Sequence, residues 1–407
     1  MNPLMENDPT PAPTKPPRSL AGKVFDILSG FGLATILLLI LGLLTWFATL
    51  EQVDNGLYAT LNKYFDQHSL FLLPEIHGKY VPLPLPGGYW TCALLLVNLT
   101  LGGVIRMRKG WSHAGNLIAH CGIVLLLVAG GVAHHFSKRG NLAVGEGDTC
   151  DAAVAYFEHV VEIAAIKDGK PDSIRVIRGN KIDDLTDGRN RLFRLPGLPF
   201  DLEISGYLEN ALPVSVNEQA PTHGERVVDG YWLMGKPGEL MAEKNAAGCY
   251  ARIVHHDGSK SAPFILTGAG FQPFTVREDG RVFTVDMHKR LWPMPFKVHL
   301  DKFTVAFHPG TMKPSKYISN ITRIEHGTQA KVTIRMNRPM RYEGLTFFQH
   351  SYFQQGSKLF SVFEVVKNPA DKWPEYSLYI VAFGLLVTFL TKLGGFIASS
   401  SRKKRNV

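Results

Sequence analysis

Motifs that mark several common enzyme classes are missing from this 407-residue sequence. It contains no HExxH zinc motif, no GxSxG nucleophile elbow, no Walker phosphate loop and no GxGxxG dinucleotide fingerprint. Its four cysteines form neither a CxxC redox pair nor the CxxCH motif that attaches haem covalently. Cys150 and Cys249 lie in the polar middle of the chain and could pair in an oxidising compartment. We therefore identify no catalytic residue and no self-contained catalytic site.

Acidic residues are fewer than basic ones, and the formal net charge is +9. Much of the positive charge lies beside hydrophobic runs. That distribution is typical of membrane topology, whereas a nucleic-acid-binding protein gathers its positive charge on a soluble face. We therefore expect no nucleic-acid partner.

Long hydrophobic runs lie near both ends of the chain, and each can cross a bilayer core of about 30 Å. Lys392 interrupts the last run, but its long side chain can extend to the bilayer surface. The predicted spans cover about residues 27–50, 89–105, 113–134 and 374–398.

Basic residues predict how these spans are oriented. They precede the first span, fill the loop after the second and follow the fourth, so all three clusters fall on one side, which should be cytoplasmic. Residues 1–24 are then a disordered cytoplasmic tail without the features of a cleavable signal peptide, and residues 399–407 are a basic cytoplasmic tail. An outer loop, 51–88, and the segment 138–373 are expected on the opposite side of the membrane.

Between the third and fourth spans, apolar and polar residues alternate as in half-buried strands. Turn signals such as Glu278–Gly280, His308–Gly310 and His326–Gly327 separate these stretches. The pattern predicts an antiparallel β-sandwich or an open barrel. The expected fold class is a membrane protein with four transmembrane α-helices and a large β-rich extracytoplasmic domain. Clear strand patterns occur at Arg281–Val285, Phe296–Leu300, Phe303–Phe307 and Val332–Met336.

Histidine occurs in the third span, where His120 lies about 5 Å from the middle at about 1.5 Å per residue. An ionisable side chain at that depth is costly and often functional. Two interpretations stay open, a hydrogen bond to a neighbouring helix or ligation of haem or another metal. His113 lies within about 20° of the same helical face. His134 and His135, at the outer end, are weaker ligand candidates.

A six-coordinate haem in a helix bundle needs axial ligands from opposite faces. The predicted first, second and fourth spans contain no histidine. A haem ligated by His120 and a second histidine would therefore take that second ligand from another polypeptide or another copy of this chain. A b-type cytochrome that exchanges electrons with quinone, and a haem-free envelope scaffold or sensor, are the alternative functions.

Several segments occur in a characteristic order along the chain. They are Leu43–Gln52, Pro86–Trp90, Leu95–Leu99, Ile118–Leu127, Arg139–Gly140, Glu146–Gly147, Leu300–Phe303 and Met336–Tyr352. Together they resemble the ResB family (also called CcsB) of cytochrome c maturation proteins. The last segment is the most specific and carries the signature residues Asn337, Pro339, Gly344, Gln349, Ser351 and Tyr352.

This resemblance implies a component of the system II pathway, which carries haem across the bacterial inner (plasma) membrane and delivers it to apocytochrome c. It implies haem b as a transient cofactor, with His120 as an axial ligand, and a ResC (CcsA)-type membrane partner. The β-rich domain would be periplasmic and would position apocytochrome c, and thiol-reducing maturation factors are further expected partners. His113 has no counterpart in the family pattern.

Overall fold

The computed structural model describes residues 19–66, 69–186, 188–221 and 226–405, with side chains up to residue 400. The chain divides into two compact units. We call residues 1–49, 63–131 and 370–407 the membrane unit, and residues 50–62 and 132–369 the β unit. The first eighteen residues of the predicted tail lie outside the described part of the chain.

The described α-helices are α1 (Leu20–Leu28), α2 (Phe31–Asn55), α3 (Leu57–Leu61), α4 (Gly88–Asn98), α5 (Ala114–Phe136) and α6 (Trp373–Arg405). Two π-helical segments, Asn62–Asp66 and Leu99–Ile105, continue α3 and α4. Short 3₁₀ turns occur at Trp111–His113, Gly179–Lys181 and Ala242–Lys244.

Within the described residues, four helical segments are long and apolar enough to cross a membrane, as the sequence predicts. They are Phe31–Asn55, Gly88–Ile105, Trp111–Phe136 and Trp373–Ser400.

The start of the first span differs from the prediction. It begins at Phe31 and not near residue 27, because the helix is interrupted at Ser29 and Gly30. Residues 20–24, expected in the disordered tail, belong instead to α1. The side chain of Ser19 caps this helix by accepting a hydrogen bond from the backbone N–H of Gly22 at 3.2 Å.

The strands are β1 (Phe71–Leu72), β2 (Glu75–Ile76), β3 (Lys79–Tyr80), β4 (Leu85–Pro86), β5 (Lys138–Gly145), β6 (Thr149–Lys167), β7 (Lys170–Ile177), β8 (Asn190–Phe193), β9 (Phe200–Leu208), β10 (Ala211–Ser215), β11 (Tyr231–Gly235), β12 (Gly248–His255), β13 (Phe264–Thr267), β14 (Phe274–Glu278), β15 (Arg281–Phe307), β16 (Pro314–Glu325), β17 (Thr328–Arg335), β18 (Met340–Tyr342), β19 (Leu345–Gln355) and β20 (Lys358–Lys367). The short strands β1 to β4 lie in the predicted outer loop.

A ten-stranded sheet dominates the β unit, in the order β17-β16-β15-β6-β5-β20-β19-β18, with β7 beside β6 and β14 beside β15. A second sheet has the order β13-β12-β9-β8, and three further sheets, β1-β4, β2-β3 and β10-β11, have two strands each. All these pairings are antiparallel.

Two large hydrophobic cores lie in the described part of the β unit, which also contains a smaller cluster around Tyr250. One, the sandwich core, joins the four-stranded sheet to β6, β14 and β15 through buried residues such as Leu202, Cys249 and Phe283. The other, the barrel core, contains side chains from all eight strands in the order β17-β16-β15-β6-β5-β20-β19-β18. This part of the sheet must therefore curl around them. The large β-rich domain predicted from the sequence is thus present. Three of the predicted strands merge into the 27-residue β15, which contributes to both cores.

Several hairpins turn on two residues that both adopt positive φ. Asp279 and Gly280, with φ of 48° and 69°, join β14 to β15, and His326 and Gly327 join β16 to β17. Turns of this kind match the right-handed twist of the paired strands. The residue pairs that signal turns in the sequence therefore set the register of these hairpins.

Candidate functional site

His120 lies in α5 and is half-buried within the membrane unit. Its Nδ1 is 2.9 Å from the backbone carbonyl oxygen of Gly103, in the π-helical segment Leu99–Ile105. Among the described residues no other hydrogen bond reaches this imidazole, so its Nε2 has no partner there. A nitrogen in this state can ligate a metal ion.

Gly103 allows the imidazole to approach so closely. A Cβ atom at this position would lie 2.7 Å from His120 Nδ1 and 2.8 Å from Leu99 Cδ1, distances that real Cβ atoms do not adopt. Any other residue at 103 would therefore displace the ring. The preceding residue, Gly102, is close to a different neighbour, since a Cβ atom at position 102 would lie 2.6 Å from the Ser29 carbonyl oxygen.

Asn98 connects the second span to the interruption between α1 and α2. Its side chain is only 4% exposed, and its Nδ2 donates to the carbonyl oxygens of Leu28 at 2.7 Å and Gly30 at 3.0 Å. The bond to Leu28 satisfies a carbonyl group that the helix interruption frees, as a low-dielectric surrounding requires. The Gly30 carbonyl oxygen also accepts from the backbone N–H of Ala34 at 3.4 Å. Sequence reasoning missed the roles of Asn98 and Gly103. The signals available in the sequence were a polar residue and a glycine pair within an apolar run.

The π-helical end of the second span also carries an ion pair. Arg106 donates to Ser29 Oγ at 2.8 Å and lies 3.3 Å from Asp26 Oδ1. The guanidinium thus links the short helix α1 to the second span, on the same stretch of chain that positions Gly103.

The third and fourth spans pack through small residues. A Cβ on Gly115 would lie 2.5 Å from the Gly384 carbonyl oxygen, and Ser377 donates to the Gly122 carbonyl oxygen at 2.7 Å. Close backbone approach of this kind is how apolar helices pack when no hydrophobic effect acts between them. Gly122 therefore packs against α6 within this chain.

The other candidate histidines do not gather around His120. His113 lies in the 3₁₀ turn before α5 and contacts Ser112 Oγ through Nδ1 at 2.8 Å. The sequence places His113 and His120 on one helical face by α-helical spacing. In the structure the α-helix begins only at Ala114, after His113, so this spacing does not apply between them. His134 and His135 lie in the last turn of α5, with ring centroids 4.7 Å apart in an edge-to-face arrangement.

The signature residues near the end of the β unit build strands and turns. Asn337 adopts a φ of 61° in the turn after β17, just before Pro339, and Gly344, with a φ of 70°, completes the β18–β19 hairpin. Gln349 donates to Ser361 Oγ at 3.0 Å and to the Ser351 carbonyl oxygen at 3.4 Å. These positions shape the barrel core and its edge.

Tyr352, the last signature residue, belongs to an aromatic cluster. Its ring centroid lies 5.4 Å from that of Phe303 and 5.5 Å from that of Tyr317, at distances typical of favourable aromatic pairs. All three rings pack in or against the barrel core. In the described part of the chain, no group of three histidine, cysteine, aspartate or glutamate side chains is arranged to hold a metal ion.

The sequence of this chain is similar to those of known proteins. The model of the ResB-like family matches residues 103–178 and 258–372. These stretches contain Gly103, His120 and the signature segment, and they leave out most of the four-stranded sheet. Protein NrfI of Wolinella succinogenes is 21% identical over 390 residues, which cover 94% of this chain and 37% of that relative. The chain spans little more than a third of the length of this curated relative, yet almost all of it aligns. In the two matched stretches the chain is similar to the ResB-like family.

Proposed function

We propose that this chain acts in cytochrome c biogenesis as a membrane component that handles haem, with His120 supplying one axial ligand. The observation that carries the proposal is the state of the His120 side chain. It is half-buried, its Nδ1 is bonded to Gly103, and its Nε2 has no partner among the described residues. Metal-ligating histidines commonly bond a carbonyl oxygen through their other ring nitrogen.

Haem b fits this residue as a cargo. When bound, its iron would accept the imidazole nitrogen of a neutral His120, and the porphyrin would lie among apolar side chains of the spans. The chain's own contribution is to hold one imidazole in a fixed orientation at membrane depth. A transient cargo suits a site with one protein ligand, since weaker ligation allows release.

The second ligand is proposed to come from a ResC (CcsA)-type membrane partner. Much of α6 is available for such a partner or for lipid, because its large apolar side chains are exposed in the isolated chain. Residues with more than half of their surface exposed include Tyr379, Phe383, Leu386, Phe389 and Leu390.

The β unit is proposed to lie in the periplasm and to position apocytochrome c beside the partner. Support for this orientation comes from the basic clusters, which the positive-inside rule places in the cytoplasm together with both termini. Thioether formation needs a reduced CxxCH client, so thiol-reducing maturation factors would act before this step. The chain would thus be part of a system II complex in the bacterial inner membrane.

The test is the visible absorption spectrum of the purified protein, made alone and with a ResC-like partner. We compare the wild type with His120→Ala and with the matched control His113→Ala, which removes a second histidine of the same span. We expect a reduced b-type spectrum that requires the partner, persists in His113→Ala and is lost in His120→Ala.

Haem binding that survives His120→Ala would overturn the ligand assignment and direct the search to His134 and His135. A colourless protein under every condition would overturn the haem-handling role and leave a scaffold in the assembly. Two b-type haems in the chain without its partner would instead identify a redox cytochrome.

A further inference from the structure

The second span changes from α-helix to π-helix directly beside His120. Residues Leu99–Ile105 have π-helical geometry, and the backbone N–H of Arg106 bonds the Leu101 carbonyl oxygen, five residues earlier, at 2.8 Å. Such segments are rare and occur frequently at functional sites, because the extra residue in the turn redirects backbone groups.

The end of this π-helix leaves carbonyl groups without helical partners. The segment ends at Ile105, so the Gly103 carbonyl receives no backbone hydrogen bond from the described residues that follow it. A neighbouring terminal carbonyl, that of Val104, is bonded by the Lys109 side chain. The partner of the Gly103 carbonyl is His120 Nδ1, at 2.9 Å.

This hydrogen bond defines where the imidazole carries its proton. A carbonyl oxygen can only accept, so the hydrogen must be on Nδ1. In a neutral imidazole the other nitrogen, Nε2, then keeps its lone pair. The negative end of the helix dipole at Ile105 favours the same arrangement, since it attracts a donor.

We infer that Gly103 is a positioning residue for His120. Its carbonyl group holds the imidazole in the Nδ1–H tautomer and directs the unprotonated Nε2 away from the second span, where it can ligate a metal. The role needs both features of Gly103, the carbonyl released at the end of the π-helix and the missing side chain. This inference rests on the proposed function for its purpose, but the tautomer is a property of the chain without haem.

The tautomer can be measured directly. We propose solid-state NMR of the full chain in lipid bilayers, without haem and with ¹⁵N-labelled histidine, at a pH where imidazole is neutral. The signals of His120 are assigned by their loss in His120→Gln. We expect a protonated Nδ1 and an unprotonated Nε2, whereas free histidine favours the opposite tautomer. A protonated Nε2 in the wild type would overturn the inference without any further variant.

Two glycine variants then separate positioning from packing. Both glycines lie on the same π-helical segment. Gly103→Ala places a Cβ 2.7 Å from His120 Nδ1, whereas Gly102→Ala places a Cβ 2.6 Å from the Ser29 carbonyl oxygen. We expect Gly103→Ala to lose the Nδ1–H signal and Gly102→Ala to keep it. A folded Gly103→Ala protein with an unchanged tautomer would refute the positioning role.

Haem binding provides an independent readout. With the partner present, Gly103→Ala should weaken haem binding about 10- to 100-fold, as is typical for loss of a hydrogen bond to a metal ligand, and Gly102→Ala should not. If the wild type shows the Nδ1–H tautomer but never binds haem, the proposed function fails and the positioning role stands. If haem binds through His120 in the opposite tautomer, the positioning role fails and the proposed function stands.

Discussion

Ser319 in β16 donates a hydrogen bond of 2.6 Å to the side-chain oxygen of Gln349 in β19, although these strands are not neighbours in the sheet. Ser361, in β20, completes the network, with its Oγ 2.8 Å from that of Ser319. Both serines have no exposed surface. The network therefore joins distant strands across the barrel core and gives the signature residue Gln349 a structural role.

Replacing Gln349 with alanine should destabilise the β unit. The change leaves two buried hydroxyl groups without their amide partner, at a cost of about 1–3 kcal/mol in the free energy of unfolding. Thermal unfolding of the full chain in detergent measures the effect. The matched control is Gln354→Ala on the same strand, because Gln354 is exposed and its amide bonds only the Gly356 carbonyl oxygen. Equal losses for the two variants would contradict the proposed role of the network.

Gly56 should tolerate alanine much less well than Gly230, although both belong to the β unit and have nearly equal φ angles, 77° and 78°. Positive φ costs a non-glycine residue about 1–2 kcal/mol in the left-handed helical region. Gly56, with a ψ of 160°, lies in a different region that essentially only glycine adopts. A Cβ at 56 would also lie 2.3 Å from the Leu240 carbonyl oxygen, whereas a Cβ at 230 meets nothing within 4 Å. The additional loss for Gly56→Ala therefore reflects this backbone contact together with the glycine-only conformation of residue 56.

The melting temperatures of Gly56→Ala and Gly230→Ala, compared under the same conditions, test whether the Gly56 variant is the less stable of the two. We expect the Gly56 variant to melt several degrees below the Gly230 variant. Equal melting temperatures would mean that the segment 50–62 and the loop around Leu240 are not held together in the protein.

Local sequence patterns were sufficient to predict the elements whose formation depends on neighbouring residues alone. The four apolar helices follow from run length and the absence of charge. Hairpin turns such as Asp279-Gly280 follow from the few residue pairs that accept positive φ. The interruption at Ser29 and Gly30 could not be predicted, since the groups that stabilise it belong to Asn98, about seventy residues later.

The sequence predicts His120 as a site residue but does not indicate Gly103. A histidine in an apolar run is unusual enough to attract attention, whereas a glycine in a span has many ordinary packing roles. The importance of Gly103 comes from a carbonyl group whose orientation depends on a π-helical turn, and α-helical periodicity contains no information about that turn. The sequence likewise predicts three separate strands within β15, because its side-chain alternation shifts at bulges that only cross-strand pairing defines.

Cys150 and Cys249 should remain free thiols, even under oxidising conditions. Both are unpaired, Cys249 is fully buried in the sandwich core, and Cys150 packs against the barrel core. Burial raises the pKa of the Cys249 thiol, which keeps it protonated and unreactive. Alkylation followed by mass spectrometry should leave Cys249 unmodified in the folded protein and modify it after denaturation. A peptide in which a disulfide joins the two residues would contradict this prediction.

His159 should make the stability of the β unit depend on pH. Its side chain is 4% exposed, and a Cβ on Gly268 would lie 2.7 Å from its Nε2. Desolvation, together with the charge of nearby Lys289, lowers the pKa of His159 from 6.5 to about 4. The folded state thus holds this imidazole neutral, while the unfolded state binds a proton below pH 6.5.

Since the unfolded state binds more protons between these two pKa values, stability is fully present above pH 6.5 and falls as the pH decreases towards 4. A shift of this size corresponds to at most about 3 kcal/mol. Unfolding of the full chain followed from pH 7 to pH 4 should show a shallower slope in His159→Leu than in the wild type. His326→Leu, which removes an imidazole that is 89% exposed, serves as the control and should keep the wild-type slope. Parallel slopes for the wild type and His159→Leu would show that His159 is already protonated in the folded protein, or that its environment is wet enough to leave its pKa near the ordinary value.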